Sequence, residues 1–267
     1  MQLRWLEQSE HDVPDRDDWL CPAERRVLAA LRLPKRRADW RLGRWTAKCA
    51  VAASLDGPRA FPEIEIRAGP SGAPEVFCAG SPAPLAISIS HRAGKACCAV
   101  ADACVQLFNR QPLLSRDREG AVLLQTSIGC DLEQIEPHTQ SFVEDYFTPE
   151  EQQLITTTTP SVRPLAIALL WSAKESALKA MHVGLRADTR SVVVKVPPIP
   201  CEPWDVWRLV AVRHASGEYG GWWLASGSFV RTVVVALKEQ DHVAGESQLA
   251  VPCPVIVGRS VVGVFPT

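Results

Sequence analysis

Two short stretches of this chain carry side chains able to do chemistry together. In Ile128-Gly129-Cys130-Asp131-Leu132-Glu133 two carboxylates stand two residues apart, so an extended strand projects Asp131 and Glu133 from one face. In Trp171-Ser172-Ala173-Lys174-Glu175-Ser176-Ala177-Leu178-Lys179 a helix places Glu175 and Lys179 one turn apart. Three carboxylates and a lysine, brought together, describe a hard-cation site beside a phosphate, since Mg2+ takes oxygen ligands and shares them with substrate phosphates. Magnesium-assisted phosphoryl-group chemistry is the expectation. Each pair also has a plain structural reading. Glu175 and Lys179 can be a surface i,i+4 ion pair worth about 0.2–0.5 kcal/mol, and Asp131 and Glu133 a pair of solvent-facing strand acids.

The elements that must position these groups follow from periodicity. A helix is expected from Pro164 to about Met181, burying Leu170, Ala173, Ala177 and Met181 and leaving Glu175 and Lys179 on the opposite side. Ahead of it, Thr148-Pro149-Glu150-Glu151 reads as a helix start with threonine as N-cap, proline at N1 and glutamate at N3. Near the beginning, Ala23 to Ala53 looks helical with a break at Leu33-Pro34. Arg37, Arg41, Arg44 and Lys48 fall there at i, i+4, i+7 and i+11, beside an apolar stripe of Leu42, Trp45, Cys49 and Ala53. That cationic face is either solvated or turned to a bound polyanion, because no acid along the stripe compensates it. Ile64-Glu65-Ile66 reads as a strand before the turn-rich Ala68 to Pro74. Leu85 to His91 alternates, with Leu85, Ile87 and Ile89 on one side and Ser88 and Ser90 on the other, and His91 closes that strand beside Arg92 and Lys95. A phosphate contact at Ser90 and His91 fits this setting. Ala96 to Val105 completes a hairpin; Asn109 to Gln125, with its Arg116-Asp117-Arg118-Glu119 cluster, reads as a linker or insertion. Later strands are expected at Val192–Val194, Trp207–Val212, Gly221–Leu224 and Val230–Val235. No close repeat is evident, and the tail from Glu239 to Thr267 has no placement.

At 267 residues and 46% hydrophobic, the chain can bury one large core or two smaller ones. A formal net charge of −1 argues against bulk attraction to nucleic acid or anionic membrane, so recognition by charge must be local. The N-terminal residues lack the apolar core of a signal peptide, and no apolar run reaches membrane-spanning length, so a soluble cytoplasmic protein is expected. Nine cysteines without a Cys-x-x-Cys pair read as structural thiols rather than a zinc or redox site.

The order Ser88-Ile89-Ser90-His91, then Gly129-Cys130-Asp131-Leu132-Glu133, then Trp171-Ser172-Ala173-Lys174-Glu175 resembles the Sfp-type 4'-phosphopantetheinyl transferases. The Arg37–Lys48 helix and the Gly72-Ala73-Pro74 turn look like that family's upstream motifs, and the resemblance runs from about Leu28 to Val194. It implies an α+β fold, a monomeric pseudo-dimer of two similar α+β halves with coenzyme A between them. It also implies transfer of the phosphopantetheine arm to a serine of an acyl or peptidyl carrier protein, with release of adenosine 3',5'-bisphosphate. By similarity Asp131, Glu133 and Glu175 would hold Mg2+, Glu175 would accept the serine proton, and Lys179 would offset charge on the leaving phosphate. Arg37, Arg44, Lys48, Gly72, Pro74, Ser90, His91 and Lys174 would contact coenzyme A.

The division expected is an N-terminal half over 1–108, a linker over 109–125, a C-terminal half with the metal site over 126–238 and a tail over 239–267. Three departures from the family stand out. Cys130 replaces an aliphatic residue, Ala73 replaces a cation, and Ala103 to Ser127 is longer and more polar than the usual link. The rival reading is a non-catalytic protein of the same fold that binds coenzyme A or a carrier protein. A Mg2+-dependent nucleotide or pyrophosphate hydrolase is a third.

Overall fold

The computed structural model describes residues 2–108, 121–199, 205–239 and 255–259. In chain order the elements are β1 (Leu3–Ser9), α1 (Pro22–Ala30), α2 (Pro34–Ala52), β2 (Ile64–Ala68), β3 (Pro74–Cys78), β4 (Ser81–Pro82), β5 (Leu85–Arg92), β6 (Lys95–Asp102), β7 (Cys104–Phe108), β8 (Ala121–Gln134), α3 (Gln140–Tyr146), α4 (Pro149–Thr157), α5 (Arg163–Ala180), β9 (Val193–Lys195), β10 (Arg208–His214), β11 (Gly217–Ser226), β12 (Phe229–Glu239) and β13 (Val255–Arg259). The expected α+β class holds. One sheet runs β13-β1-β6-β5, a second β7-β8-β12-β11-β10-β9, and a small third β2-β3-β4. The two large sheets share a buried layer in which Leu3, Trp5, Cys97 and Ala99 meet Ile128, Cys130, Leu132 and Val233. Helix α2 packs on the outer side of the first sheet and α5 on that of the second. Because Ile128, Cys130 and Leu132 fill the shared layer, the alternate residues Gly129, Asp131 and Glu133 turn toward α5, as the two-residue period of a strand requires.

The same set of contacts occurs twice. Glu24 closes a capping box at the start of α1, accepts the backbone N–H of Ile66 at 3.1 Å and pairs with Lys48 at 2.6 Å. Glu151 closes the box predicted at Thr148, accepts the N–H of Val194 at 2.8 Å and pairs with Lys174 at 2.8 Å. Lys48 gives its other protons to the carbonyls of Trp19 and Phe61; Lys174 gives its own to Thr189 and Val192. Lys48 sits over the ring of Trp19 and Lys174 over that of Phe147. Strand order repeats as well, β1-β6-β5 against β8-β12-β11.

This recurrence has a sequence signature that periodicity passes over. Leu6-Glu7-Gln8 and Trp45-Thr46-Ala47-Lys48 reappear 126 positions later as Leu132-Glu133-Gln134 and Trp171-Ser172-Ala173-Lys174. The expectation of no close repeat is therefore corrected.

Both lysines must also be withdrawn as coenzyme A ligands. Each ammonium is fully buried, with its three donors directed at a carboxylate and two carbonyls, so none remains for a phosphate. The expected cationic face breaks up for the same reason. Arg37 caps α1 through the carbonyls of Leu28 and Leu31, and Arg41 holds Asp17 at 2.8 Å. The compensating acids come from other elements, which the helix's own sequence does not display.

Two further differences concern the expected linker and tail. Residues 109–120 lie outside the described residues, but 121–125 belong to β8, paired with β7 from Cys104↔Gln125 to Phe108↔Ala121. Within the tail, Val255–Arg259 lies parallel to β1 at the edge of the first sheet. Removing one partner of a buried ion pair leaves an uncompensated charge, so Lys48→Ala and Lys174→Ala should each lose about 3–5 kcal/mol of stability. Urea unfolding at an unchanged m-value checks this; a loss below about 1 kcal/mol would return both lysines to the surface.

Candidate active site

The site forms where α5 lies closest to β8. A Cβ at Gly129 would fall 1.8 Å from the carbonyl oxygen of Ser176 and 2.6 Å from the nitrogen of Ala180, so only glycine permits this approach. The contact lets Lys179 reach over the strand to donate to the carbonyl of Cys130 at 3.0 Å and to Asp131 Oδ1 at 2.8 Å. From the first sheet, Ser90 Oγ donates to the same Oδ1 at 2.7 Å. Asp131 is thus 2% exposed, not the solvent-facing acid of the plain reading, and its replacement will disturb the fold as well as the chemistry.

Glu175 lies 3.7 Å from Lys179, the expected i,i+4 neighbour, with a side chain only 17% exposed. Burial and the charge of Asp131, with Glu133 behind it, push the Glu175 carboxyl up to about 7 against the pull of Lys179. Burial and Asp131 likewise raise Glu133, while Arg92 at 3.3 Å and Trp171 draw it back. Burial works to lower Lys179, but Asp131, Cys130 and Glu175 outweigh it and raise the ammonium. These are the marks of an acid cluster with too little positive charge.

Among the described residues no three ligating side chains converge on one point in advance. The donor chemistry nevertheless suits a hard dication. The buried Asp131 Oδ2 has no hydrogen-bond partner, and Glu175 is driven toward its neutral form by burial and by the neighbouring carboxylates. A cation bound to Asp131, Glu133 and Glu175 would relieve both.

Beside this cluster opens a cleft of about 380 Å³, walled by α2, β5 and the β2–β3 turn on one side and by β8 and the end of α5 on the other. Arg44, Gly72, Pro74 and Lys179, all expected at the site, line it, together with Arg67, Ser71, His182 and Gly184, which sequence reading passed over. The missed residues come from a strand end and from the turn after α5, where no local pattern marks a pocket. Arg186 of that turn donates to the carbonyl of Ser71 at 2.9 Å, bringing the two walls together. Ser90 faces Asp131 rather than the cleft, and His91 is exposed at the end of β5 beside Gly43 of α2. Arg37, Lys48 and Lys174 are not among the cleft-lining residues, for the reasons given above.

Residues 127–207 match the family model of the 4'-phosphopantetheinyl transferase superfamily. The matched span holds Asp131, Glu133, Glu175 and Lys179. Among solved structures, the crystal structure of Thermotoga maritima holo-acyl-carrier-protein synthase is similar at 18% identity, covering 43% of this chain and 64% of that one, with a TM-score of 0.30. At that score the likeness carries no argument. The chain thus spans a little under two thirds of that structure's length. No curated protein matches. No helix among the described residues is long and apolar enough to cross a membrane.

The raised Glu175 gives a pH-dependent expectation. Between the ordinary value of 4.5 and about 7 the metal-free folded protein holds a proton that the unfolded chain has lost. Glu175 therefore contributes stability that is full below about 4.5 and is lost as pH rises through about 7. Bound Mg2+ must displace that proton. Calorimetric titration with Mg2+ in buffers of differing ionisation enthalpy should register release of about one proton near about pH 6, declining to little above about pH 8. Proton release that is absent, or unchanged in Glu175→Gln, would remove Glu175 from the cation site.

Proposed function

We propose that this protein transfers the 4'-phosphopantetheine arm of coenzyme A to a serine hydroxyl of an acyl or peptidyl carrier protein, with Mg2+, and releases adenosine 3',5'-bisphosphate. The observation that carries the reading is the meeting of Lys179, Asp131 and Glu175 at the side of a cleft that also presents Arg44 and Arg67. The superfamily match over 127–207 supports it. So does the duplicated buried lysine–glutamate pair, which fits a pseudo-dimer of two related halves; that the protein acts as a soluble, cytoplasmic monomer is part of the same proposal.

In this reading the serine oxygen attacks the phosphorus that carries pantetheine, and the bond from that phosphorus to the bridging oxygen breaks. Asp131, Glu133 and Glu175 would hold Mg2+, which when bound would supply positive charge to the pyrophosphate. Glu175, deprotonated once a cation is bound, would accept the serine proton directly or through water. Lys179 stabilises charge developing on the leaving phosphate, while its bonds to Asp131 and to the Cys130 carbonyl fix its position. Ser90 orients Asp131 from the opposite sheet, so the acid is held by both halves. Arg44 and Arg67 face the coenzyme A phosphates. In the first half, the same 126-residue offset puts Trp5, Cys49 and Ala53 where Asp131, Glu175 and Lys179 stand, which leaves one set of catalytic groups per chain.

A coenzyme A transfer assay with several apo carrier proteins tests the assignment. Glu133→Gln, which keeps shape and removes charge, should lower transfer by about a hundredfold or more with normal unfolding. Lys179→Met should lower turnover by about a hundredfold, or about 2.7 kcal/mol of transition-state stabilisation. Wild-type coenzyme A binding without transfer to any carrier would favour the non-catalytic rival, and coenzyme A breakdown without a carrier would favour a hydrolase.

A further inference from the structure

The end of α5 carries a residue that helix geometry does not ask for. Beyond the cap at Met181, the N–H of His182 donates to the carbonyl of Lys179 at 3.0 Å and that of Val183 to Leu178 at 3.1 Å. This pair of bonds is the Schellman ending, whose first residue past the cap takes left-handed backbone and is most often glycine. Here that residue is His182, at φ +60°. Non-glycine residues are uncommon at this φ, histidine being among those that adopt it, so the position is an outlier that points to a task for the side chain.

The imidazole is also fixed in orientation. Ser127 Oγ lies 2.5 Å from the carbonyl of Ala180 and 2.7 Å from His182 Nε2. A carbonyl only accepts, so the single Ser127 proton goes to Ala180 and the proton between Ser127 and the ring sits on Nε2. Held this way, His182 lines the cleft with Arg44, Arg67, Lys179 and Gly184. Lys179 marks the side of the cleft next to the acid cluster. His182 follows it past the helix end, in the turn that Arg186 ties to Ser71. A planar ring lining the same cleft as two arginines suits a nucleotide, which offers a flat base and phosphates. It suits the thin amide chain of a pantetheine arm poorly.

We propose that His182 is a specificity-determining residue that contacts the nucleotide portion of coenzyme A; the proposal rests on the coenzyme A reading above. The test uses His182→Gly, a change that the left-handed backbone favours, so the fold and Tm should be kept or improved. Calorimetry would measure binding of coenzyme A, adenosine 3',5'-bisphosphate and 4'-phosphopantetheine to the full-length wild type and variant. Expected is a loss of about tenfold or more for coenzyme A and the bisphosphate alike, with 4'-phosphopantetheine unchanged. His182→Asn, which tolerates this backbone and keeps a hydrogen-bonding amide, should recover part of the loss. Equal binding by wild type and His182→Gly would overturn the proposal while leaving the coenzyme A reading in place. Uniform weakening of all three ligands with a lowered Tm would overturn it too, by making the histidine structural. A wild type that binds neither coenzyme A nor the bisphosphate would overturn the reading and the proposal together.

Discussion

An ammonium shut away from water must place every proton on protein, and Lys174 does so on Glu151 and the carbonyls of Thr189 and Val192. Glu151 in turn closes the α4 cap and takes the N–H of Val194 at the sheet's far strand. One buried pair thus joins α5, α4 and the start of β9. Charge burial is costly unless paired and hydrogen-bonded, so these elements have one arrangement that satisfies the lysine. Lys48, Glu24, α1 and Ile66 repeat it in the first half. With the helix held in place at its middle, its last turn is set over β8, and Lys179 and Glu175 inherit their positions from Lys174.

The close approach at Gly129 completes this. A lysine on α5 reaches a strand carboxylate only because nothing larger than hydrogen separates helix and sheet at that point. Ser90 then contributes from the other sheet, and the shared layer around Cys97, Cys130 and Val233 holds the two sheets in contact. The acid cluster therefore depends on both sheets, although the three carboxylates and Lys179 all come from β8 and α5. A fault in the first half that leaves β8 and α5 intact can still shift Asp131 through Ser90.

Much of this was legible in the amino-acid order. The Thr148 capping box, the break at Leu33-Pro34, the Leu85–His91 alternation and the shared face of Asp131 and Glu133 are local properties, decided by side-chain period, proline geometry and hydroxyl capping within a few residues. The choice of Asp131, Glu133, Glu175 and Lys179 as a group also followed from residue type and spacing; the fold sets Lys179 against Asp131 and Glu175.

Only the tertiary structure decided which cations are free to act. Lys48, Lys174, Arg37 and Arg44 look alike on a helix, yet the first three are taken up by glutamate and carbonyl groups outside their own helix, whereas Arg44, 3.9 Å from Glu24, also lines the cleft. The partners lie 23 to 24 residues away for the two lysines, beyond any helical or strand period. The same holds for Arg67 and His182, whose place at the cleft depends on how the turn after α5 meets the turn at Gly72. Local order sets which groups a segment can present. Desolvation, which exists only once the sheets and helices have packed, decides whether a charge must be neutralised inside or left for a ligand.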